Sequence, residues 1–341
     1  MTRAPLRLRL DGDALVHNWR HLDAMSGAAA CGAAIKADGY GLGALAVATR
    51  LAAAGCRDFF VASWAEAEAI APLRLSVSVL HGLRGEDMEL AGWGIARPVL
   101  NSAAQVARWK AAGGGACDVM IDTGMNRLGL SVDELYLLEG LEIGTLLSHL
   151  ACADEDVAMN EAQRAAFAAL AGRTGAKRLS LANSAGIALG PDYAFDLTRP
   201  GLALYGGVPR GELAAIRQVV TPEAQVLQRR TVPAGRSIGY NAIWTAPAAT
   251  EVAILNIGYA DGYFRGFSNT GGALHQGRRL PLLGRVSMDL VAIDVGAAPD
   301  LGEGDWLALD YALPQAAAQS GMSQYELLTS LGHRFDRVWS G

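Results

Sequence analysis

The sequence predicts an α/β fold: a TIM-type (β/α)8 barrel followed by a mainly β C-terminal domain. Three observations lead there. From Cys31 to Tyr205 short apolar runs alternate with Ala-rich helical stretches, eight such runs can be placed, and after about Val220 the texture changes to short β-rich stretches punctuated by Pro and Gly. At 341 residues the chain also exceeds the usual size of one compact domain. The expected division is a barrel over residues 1–219, with residues 1–10 able to pair with the β domain, and a β domain over residues 220–341.

The expected barrel strands are Cys31–Lys36, Asp58–Ala62, Ser76–Leu80, Arg97–Leu100, Cys117–Ile121, Ile143–Ser148, Arg178–Ala182 and Leu202–Tyr205. Between them Leu42–Ala54, Ala65–Ala71, Ser102–Ala112 and Glu155–Gly172 carry apolar residues at helical spacing. In the second domain Val232–Gly235, Val252–Ile257, Arg279–Leu283 and Leu290–Val295 are expected as strands, Asp294–Gly304 as turns, and no long helix before Gln324. A barrel does its chemistry at the C-terminal ends of its strands. The polar residues closing those runs, Lys36, Ser63, His81, Asn101, Asp122, His149 and Asn183, are therefore read together.

Composition narrows the function classes. Half the residues are hydrophobic and 18% charged, which suits a buried α/β protein rather than a disordered one. A net charge of −5 and the lack of a basic stripe argue against a nucleic-acid partner. No stretch reads as a signal peptide or a membrane span, so the expectation is a cytoplasmic protein with no membrane partner. Cys31, Cys56, Cys117 and Cys152 show no C-x-x-C spacing and read as free thiols, and no ligand set for a metal is expected.

Lys36 follows the apolar run Ala33-Ala34-Ile35 at a strand end. Partial desolvation there favours the neutral, nucleophilic amine, which can condense with a carbonyl compound. Taken alone, such a lysine equally well snorkels to the rim or pairs with Asp38. The longer run Ala34-Ile35-Lys36-Ala37-Asp38-Gly39-Tyr40-Gly41-Leu42-Gly43 resembles the cofactor-lysine signature of the alanine racemase family, with Gly39 where Ala is commoner. The resemblance implies pyridoxal 5'-phosphate on Lys36 and a hydrogen bond from Tyr40 to its phosphate.

The match recurs along almost the whole chain. Asp122-Thr123-Gly124-Met125-Asn126-Arg127-Leu128-Gly129 resembles the family's arginine segment, which implies that Arg127 meets the cofactor's phenolic oxygen and the substrate carboxylate, a task suited to a planar, permanently charged fork. A rim salt bridge is the other reading of Arg127. The family often has a carbamylated lysine seven residues earlier, steadying that arginine; here the position is Met120, so something else, an anion for instance, must position Arg127. Ser148-His149-Leu150-Ala151-Cys152-Ala153-Asp154 and Arg199-Pro200-Gly201-Leu202-Ala203-Leu204-Tyr205-Gly206 resemble segments that imply Arg199 at the pyridine nitrogen and His149 bridging Arg199 towards a catalytic tyrosine. Arginine holds its proton too tightly to give the pyridine a full positive charge, which weakens the electron sink and favours racemisation over transamination.

Asn183-Ser184-Ala185-Gly186 opens a short helical stretch whose N–H groups and hydroxyl suit a phosphate, with the backbone of Gly201 and Leu202 completing the cradle. By itself Asn-Ser is an ordinary helix cap. In the β domain Ser237-Ile238-Gly239-Tyr240-Asn241 resembles the segment supplying the second base, Tyr240; its plain alternative is a turn tyrosine with its hydroxyl in solvent. A phenol titrates near pH ~10, so base work near neutrality needs about 4 kcal/mol of help, expected from a positive His149–Arg199 pair. By similarity Tyr259 narrows the entrance, Met288 holds the substrate carboxylate through its N–H, Asp289 adjoins it, and Tyr325 contacts the phosphate.

Racemisation takes a proton from one face and returns it to the other, so two bases must flank the cofactor. Lys36 and Tyr240 are the expected pair, Lys36 acting on the D-isomer and Tyr240 on the L-isomer. The resemblance implies a head-to-tail homodimer in which each tyrosine serves the neighbouring barrel. The substrate expected is a small amino acid, L-alanine first, giving D-alanine for peptidoglycan, with serine or a broader range as the alternative. A barrel-type decarboxylase, which commonly uses a cysteine from its second domain, is disfavoured because no cysteine follows Cys152. A non-catalytic pyridoxal-phosphate carrier is disfavoured by the β domain itself.

Overall fold

The computed structural model describes residues 4–341, which form two compact units: residues 15–217, and residues up to 14 together with 218–341.

In the first unit seven parallel strands follow one another in chain order: Ala33–Ala34, Asp58–Val61, Ser76–Val79, Arg97–Leu100, Cys117–Met120, Ile143–Leu147 and Arg178–Ser180. The eighth is Leu197–Thr198, parallel to Ala30–Cys31. Its neighbours bond it on both sides, through Asp196 N to Leu179 O (3.0 Å), Arg199 N to Ala182 O (2.8 Å), Gly32 N to Thr198 O (2.9 Å) and Ala34 N to Pro200 O (2.8 Å). These bonds close the ring. Covered on both faces, the strands bury Val79, Val99, Val119, Leu146 and Leu147 completely, and the polar Ser78, Asp118, Thr145 and Ser180 with them. Helices start where hydroxyls can cap them: Ser63 Oγ accepts from Glu66 N ahead of Trp64–Ile70, and Ser102 Oγ from Gln105 N ahead of Ala103–Ala111.

The eighth strand is a correction. Leu202–Tyr205, expected to be that strand, is instead a turn of 3-10 helix. The segment is apolar because it is buried on all sides, with the Tyr205 hydroxyl donating to Ala34 O. An apolar run of four residues has the same texture in a buried strand and in a buried helical turn.

The second unit is built on an antiparallel sheet, ordered Thr250–Leu255, Val291–Asp294, Arg278–Leu283, Gly272–His275, Trp306–Leu309, Val220–Val232, Leu6–Asp11, Asp336–Ser340. The 13-residue strand Val220–Val232 also pairs with Thr250–Leu255, through a register shift between Val226 and Gln228. That bulge lets one long strand serve two parts of the sheet. Leu6–Asp11 pairs antiparallel with Val220–Val232 and parallel with Asp336–Ser340. The expected strand Val232–Gly235 does not form: Val232 ends the long strand, and Pro233, which cannot donate to a ladder, starts the turn. A short helix that the sequence reading did not place, Leu313–Ser320, precedes Gln324, with Pro314 in its first turn. Proline there loses no helical bond, so it starts this helix rather than marking a loop.

Cys31, Cys56 and Cys117 are buried free thiols and Cys152 is half-buried. Among the described residues no helix is long and apolar enough to cross a membrane.

Candidate active site

At the C-terminal end of the barrel strands the seven polar residues separate by task. Ser63 and Asn183 cap helices, Asn183 through its Oδ1 accepting from Gly186 N at 2.8 Å. Asn101 Nδ2 donates to Leu80 O, and Asp122 Oδ1 accepts from Gly124 N and Met125 N. His81 lies exposed and lends its carbonyl to Gln105 Nε2. Lys36 and His149 remain as groups whose chemistry is perturbed by their surroundings.

Lys36 is half-buried. Burial first, then the Arg127 guanidinium and, more weakly, that of Arg199, lower the pKa of its amine, while Glu66 opposes them. The backbone then runs left-handed through Ala37 (φ 52°), Asp38 (φ 52°), Gly39 (φ 62°) and Tyr40 (φ 55°). A side chain in this region costs roughly 1–2 kcal/mol per residue, so the turn needs outside support. Glu66 supplies part of it, its carboxylate accepting from Ala37 N (2.8 Å) and Ala62 N (2.7 Å). Asp38, the alternative partner for Lys36, instead accepts from Ala44 N at 2.8 Å.

The turn delivers Tyr40, 5% exposed, onto Tyr205 with ring centroids 4.6 Å apart. Its hydroxyl lies against Gly201, where an added Cβ would stand 2.2 Å from Tyr40 Oη. Beside it Ser184 Oγ accepts from Gly201 N (3.0 Å) and Ala203 N (3.1 Å). Ser184 and Leu202 are buried at 1% and 2% exposure. Hydroxyls and backbone N–H groups thus converge at the start of the short helix Ser184–Ala188.

Arg199 is buried and donates to Ser180 Oγ, to Ser148 O (2.6 Å) and to Leu181 O (3.5 Å). Burial pulls its pKa down to about 10 against support from Asp118, so it stays protonated at neutral pH. His149 is pushed down to about 3 by desolvation and by Arg199, Arg127 and Lys36. The expected positive His149–Arg199 pair is thereby corrected: the imidazole is neutral and Arg199 alone carries the charge. Arg127 is exposed on a loop pinned at its ends by the Ile121–Leu130 bridge.

The other predicted residues lie on the β unit. Tyr240 is 68% exposed at the tip of a hairpin, Ser237–Ile238 against Trp244–Thr245, with Gly239 (φ 73°) and Asn241 (φ 61°) making the turn. Ile238 and Trp244 root the hairpin on Val232, Val252, Leu283 and Ala292. A cavity of about 730 Å³ opens beside it, lined by Tyr240, Arg230, Arg236 and Arg285 among apolar side chains. Tyr259 and Met288 belong to one assembly. Tyr259 N donates to Ser287 O and Ala260 N to Met288 O, both at 3.0 Å, and a Cβ on Gly258 would lie 2.3 Å from Met288 O. Arg334 locks this assembly, donating twice to the fully buried Asp261 (2.6 and 2.7 Å) and once to Asp289 (2.8 Å). Tyr325, 43% exposed, sits in the helix Gln324–Thr329.

Glu66 and Arg334 were not singled out by the sequence reading. Glu66 carried a signal, since Ser63-Trp64-Ala65-Glu66 has the spacing of a capping box. Arg334 carried none, because its partners are 73 and 45 residues away in the chain.

A closed parallel barrel presenting a neutral-leaning lysine beside two arginines, next to a cradle of N–H and hydroxyl groups, defines an enzyme class that handles a phosphorylated carbonyl compound through an amine. Residues 10–209 match the family described as alanine racemase, N-terminal domain, and residues 219–339 that described as alanine racemase, C-terminal domain. The chain is 42% identical to the alanine racemase of Acidiphilium cryptum, covering 97% of this chain and 98% of that protein. It is 43% identical to the catabolic alanine racemase of Agrobacterium fabrum, covering 97% and 91%. The crystal structure of alanine racemase from Bartonella henselae with covalently bound pyridoxal phosphate superposes with a TM-score of 0.89 at 35% identity, over 98% of this chain and 99% of that one. The chain belongs to the alanine racemase family, whose members are isomerases.

Proposed function

We propose that the protein racemises alanine with pyridoxal 5'-phosphate held on Lys36, using Lys36 and Tyr240 of the partner subunit as its two bases. The observation that carries this reading is the half-buried Lys36 amine, biased towards its neutral form beside Arg127 and Arg199. Only a neutral amine attacks a carbonyl carbon or accepts a proton.

The residues present fit the cofactor. The Ser184 hydroxyl, whose oxygen accepts from Gly201 N and Ala203 N and keeps its own proton to donate, and the Tyr40 hydroxyl against Gly201 suit a phosphate dianion. Asn183 contributes by capping the helix that presents Ser184, while Leu202 adds backbone and Tyr325 a further hydroxyl. When bound, the cofactor supplies an electron sink that makes the substrate's Cα proton removable. Arg199, permanently charged and held by three oxygens, would face the pyridine nitrogen without surrendering its proton. Arg127 would hold the substrate carboxylate with the N–H of Met288, Asp289 beside it and Tyr259 restricting side-chain size.

In this reading Lys36 removes the proton from D-alanine and returns one to make it, and Tyr240 does the same for L-alanine on the opposite face. The exposure of Tyr240 on its rooted hairpin is what a base donated across a homodimer requires. The proposal includes supply of D-alanine for peptidoglycan in the cytoplasm; the relative from Agrobacterium fabrum named catabolic makes a catabolic role the competing one.

The test is enantiomer exchange over a panel of L-amino acids with pyridoxal phosphate present. Alanine should turn over fastest, with serine slower. Tyr240→Phe should lose most L-to-D turnover, and mixing it with Lys36→Ala should restore some activity through hybrid dimers. Loss of carboxylate as carbon dioxide, or no exchange at all, refutes the racemase reading.

A further inference from the structure

Gln163 lies on the helix Ala158–Ala168, 1% exposed. Both ends of its amide are engaged. Oε1 accepts from Ala151 N (2.9 Å), while Nε2 donates to His149 O (3.0 Å) and to Thr123 Oγ1 (3.4 Å). Thr123 Oγ1 lies 2.7 Å from Ser148 Oγ, and Ser148 O accepts from Arg199 at 2.6 Å. One buried amide therefore gathers the segment after the sixth strand and the first residues of the loop that carries Arg127.

That loop, Asp122 to Leu130, is otherwise secured near its ends, by the Ile121–Leu130 bridge and by Asp122 Oδ1 bonding Gly124 N and Met125 N. Met120, on the strand beneath, is buried and apolar and offers a guanidinium no strong acceptor. Gln163 and Ser148 bond the Thr123 hydroxyl of the loop from neighbouring elements, at 3.4 and 2.7 Å. We propose that Gln163 is a positioning residue: through Thr123 it sets the Arg127 loop in register with His149 and Arg199, a duty that the residue at position 120 cannot perform. A buried amide with three partners has no alternative arrangement of equal energy, which is what holds a loop in one place. The clamp itself is read from the hydrogen bonds; only its consequence for substrate rests on the racemase reading.

The experiment compares Gln163→Met, Thr123→Val and Thr123→Ser with the parent chain. In cofactor-free protein, amide exchange over residues 122–130 should quicken about tenfold in Gln163→Met and Thr123→Val, as loss of buried hydrogen bonds frees the loop. Thr123→Ser, which keeps the hydroxyl, should exchange like the parent. In cofactor-loaded enzyme the first two variants should raise KM for L-alanine about tenfold while kcat falls much less. Unchanged exchange over 122–130 in Gln163→Met, or equal exchange in Thr123→Val and Thr123→Ser, overturns the proposal. If Gln163→Met does not fold, the two Thr123 variants decide it alone. A parent chain that racemises nothing would end the functional reading while leaving the exchange comparison decisive for the clamp.

Discussion

Gly201→Ala tests the cradle at its tightest point. The added methyl would stand 2.2 Å from Tyr40 Oη and 2.8 Å from its Cζ, both below any ordinary contact. Gly201 has φ −130°, so alanine adds no left-handed strain. Tyr40 cannot swing away freely, because it is buried and stacked on Tyr205, itself fixed by its bond to Ala34 O. Overpacking of this kind costs about 2 kcal/mol, or roughly 4–8 °C in the melting temperature of a unit this size. Displacing the hydroxyl should also remove a charge-assisted bond to phosphate, weakening pyridoxal phosphate binding by about 10- to 100-fold. Calorimetry of the cofactor-free protein and a fluorescence titration with pyridoxal phosphate measure the two effects separately. Gly211→Ala, with nothing within 4 Å of the new methyl, is the control. Adding Tyr40→Phe to Gly201→Ala removes the 2.2 Å contact and leaves the one at 2.8 Å, so it should recover part of the stability and none of the affinity. If Gly201→Ala melts and binds like the parent, the close approach of Tyr40 does not exist in solution.

Two further outcomes follow from the geometry. His149 has a folded pKa of about 3 against 6.5 for a free imidazole, so the unfolded chain takes up the proton first as pH falls; the cost is absent above 6.5 and grows between 6.5 and 3. The His149 ring should stay neutral at pH 5 by nitrogen chemical shift, and His149→Gln should flatten the loss of stability across that window; a midpoint near 6.5 would contradict the assignment. Arg334→Met should free Asp289 and leave the buried Asp261 with only the Gly258 N–H (3.0 Å) of its present bonds to the Tyr259–Met288 assembly. KM for alanine should then rise about three- to tenfold with pyridoxal phosphate affinity unchanged, and equal loss of both would show a merely structural role.

Local signals in the chain were enough to place Lys36 at a strand end, to separate a β-rich second region, and to space the first seven barrel strands to within a residue or two. Short apolar runs between Ala-rich helical stretches mark buried parallel strands because both faces of such strands are covered. The run Leu202–Tyr205 misled for the same reason, since burial on all sides leaves no periodicity to read.

What the sequence alone determined is which chemical groups exist, the amine of Lys36, the guanidiniums of Arg127 and Arg199 and the phenols of Tyr40 and Tyr240, and that Lys36 follows a strand; the strand end at which Arg199 stands was decided by the fold. Tertiary structure decided their state and support. That His149 is neutral, that Glu66 holds the left-handed turn after Lys36, and that Gln163 and Arg334 tie distant segments all depend on burial and on bonds between residues far apart in the chain. Charge state and orientation depend on the dielectric and partners around a group, and neighbours in space leave no mark on neighbours in sequence.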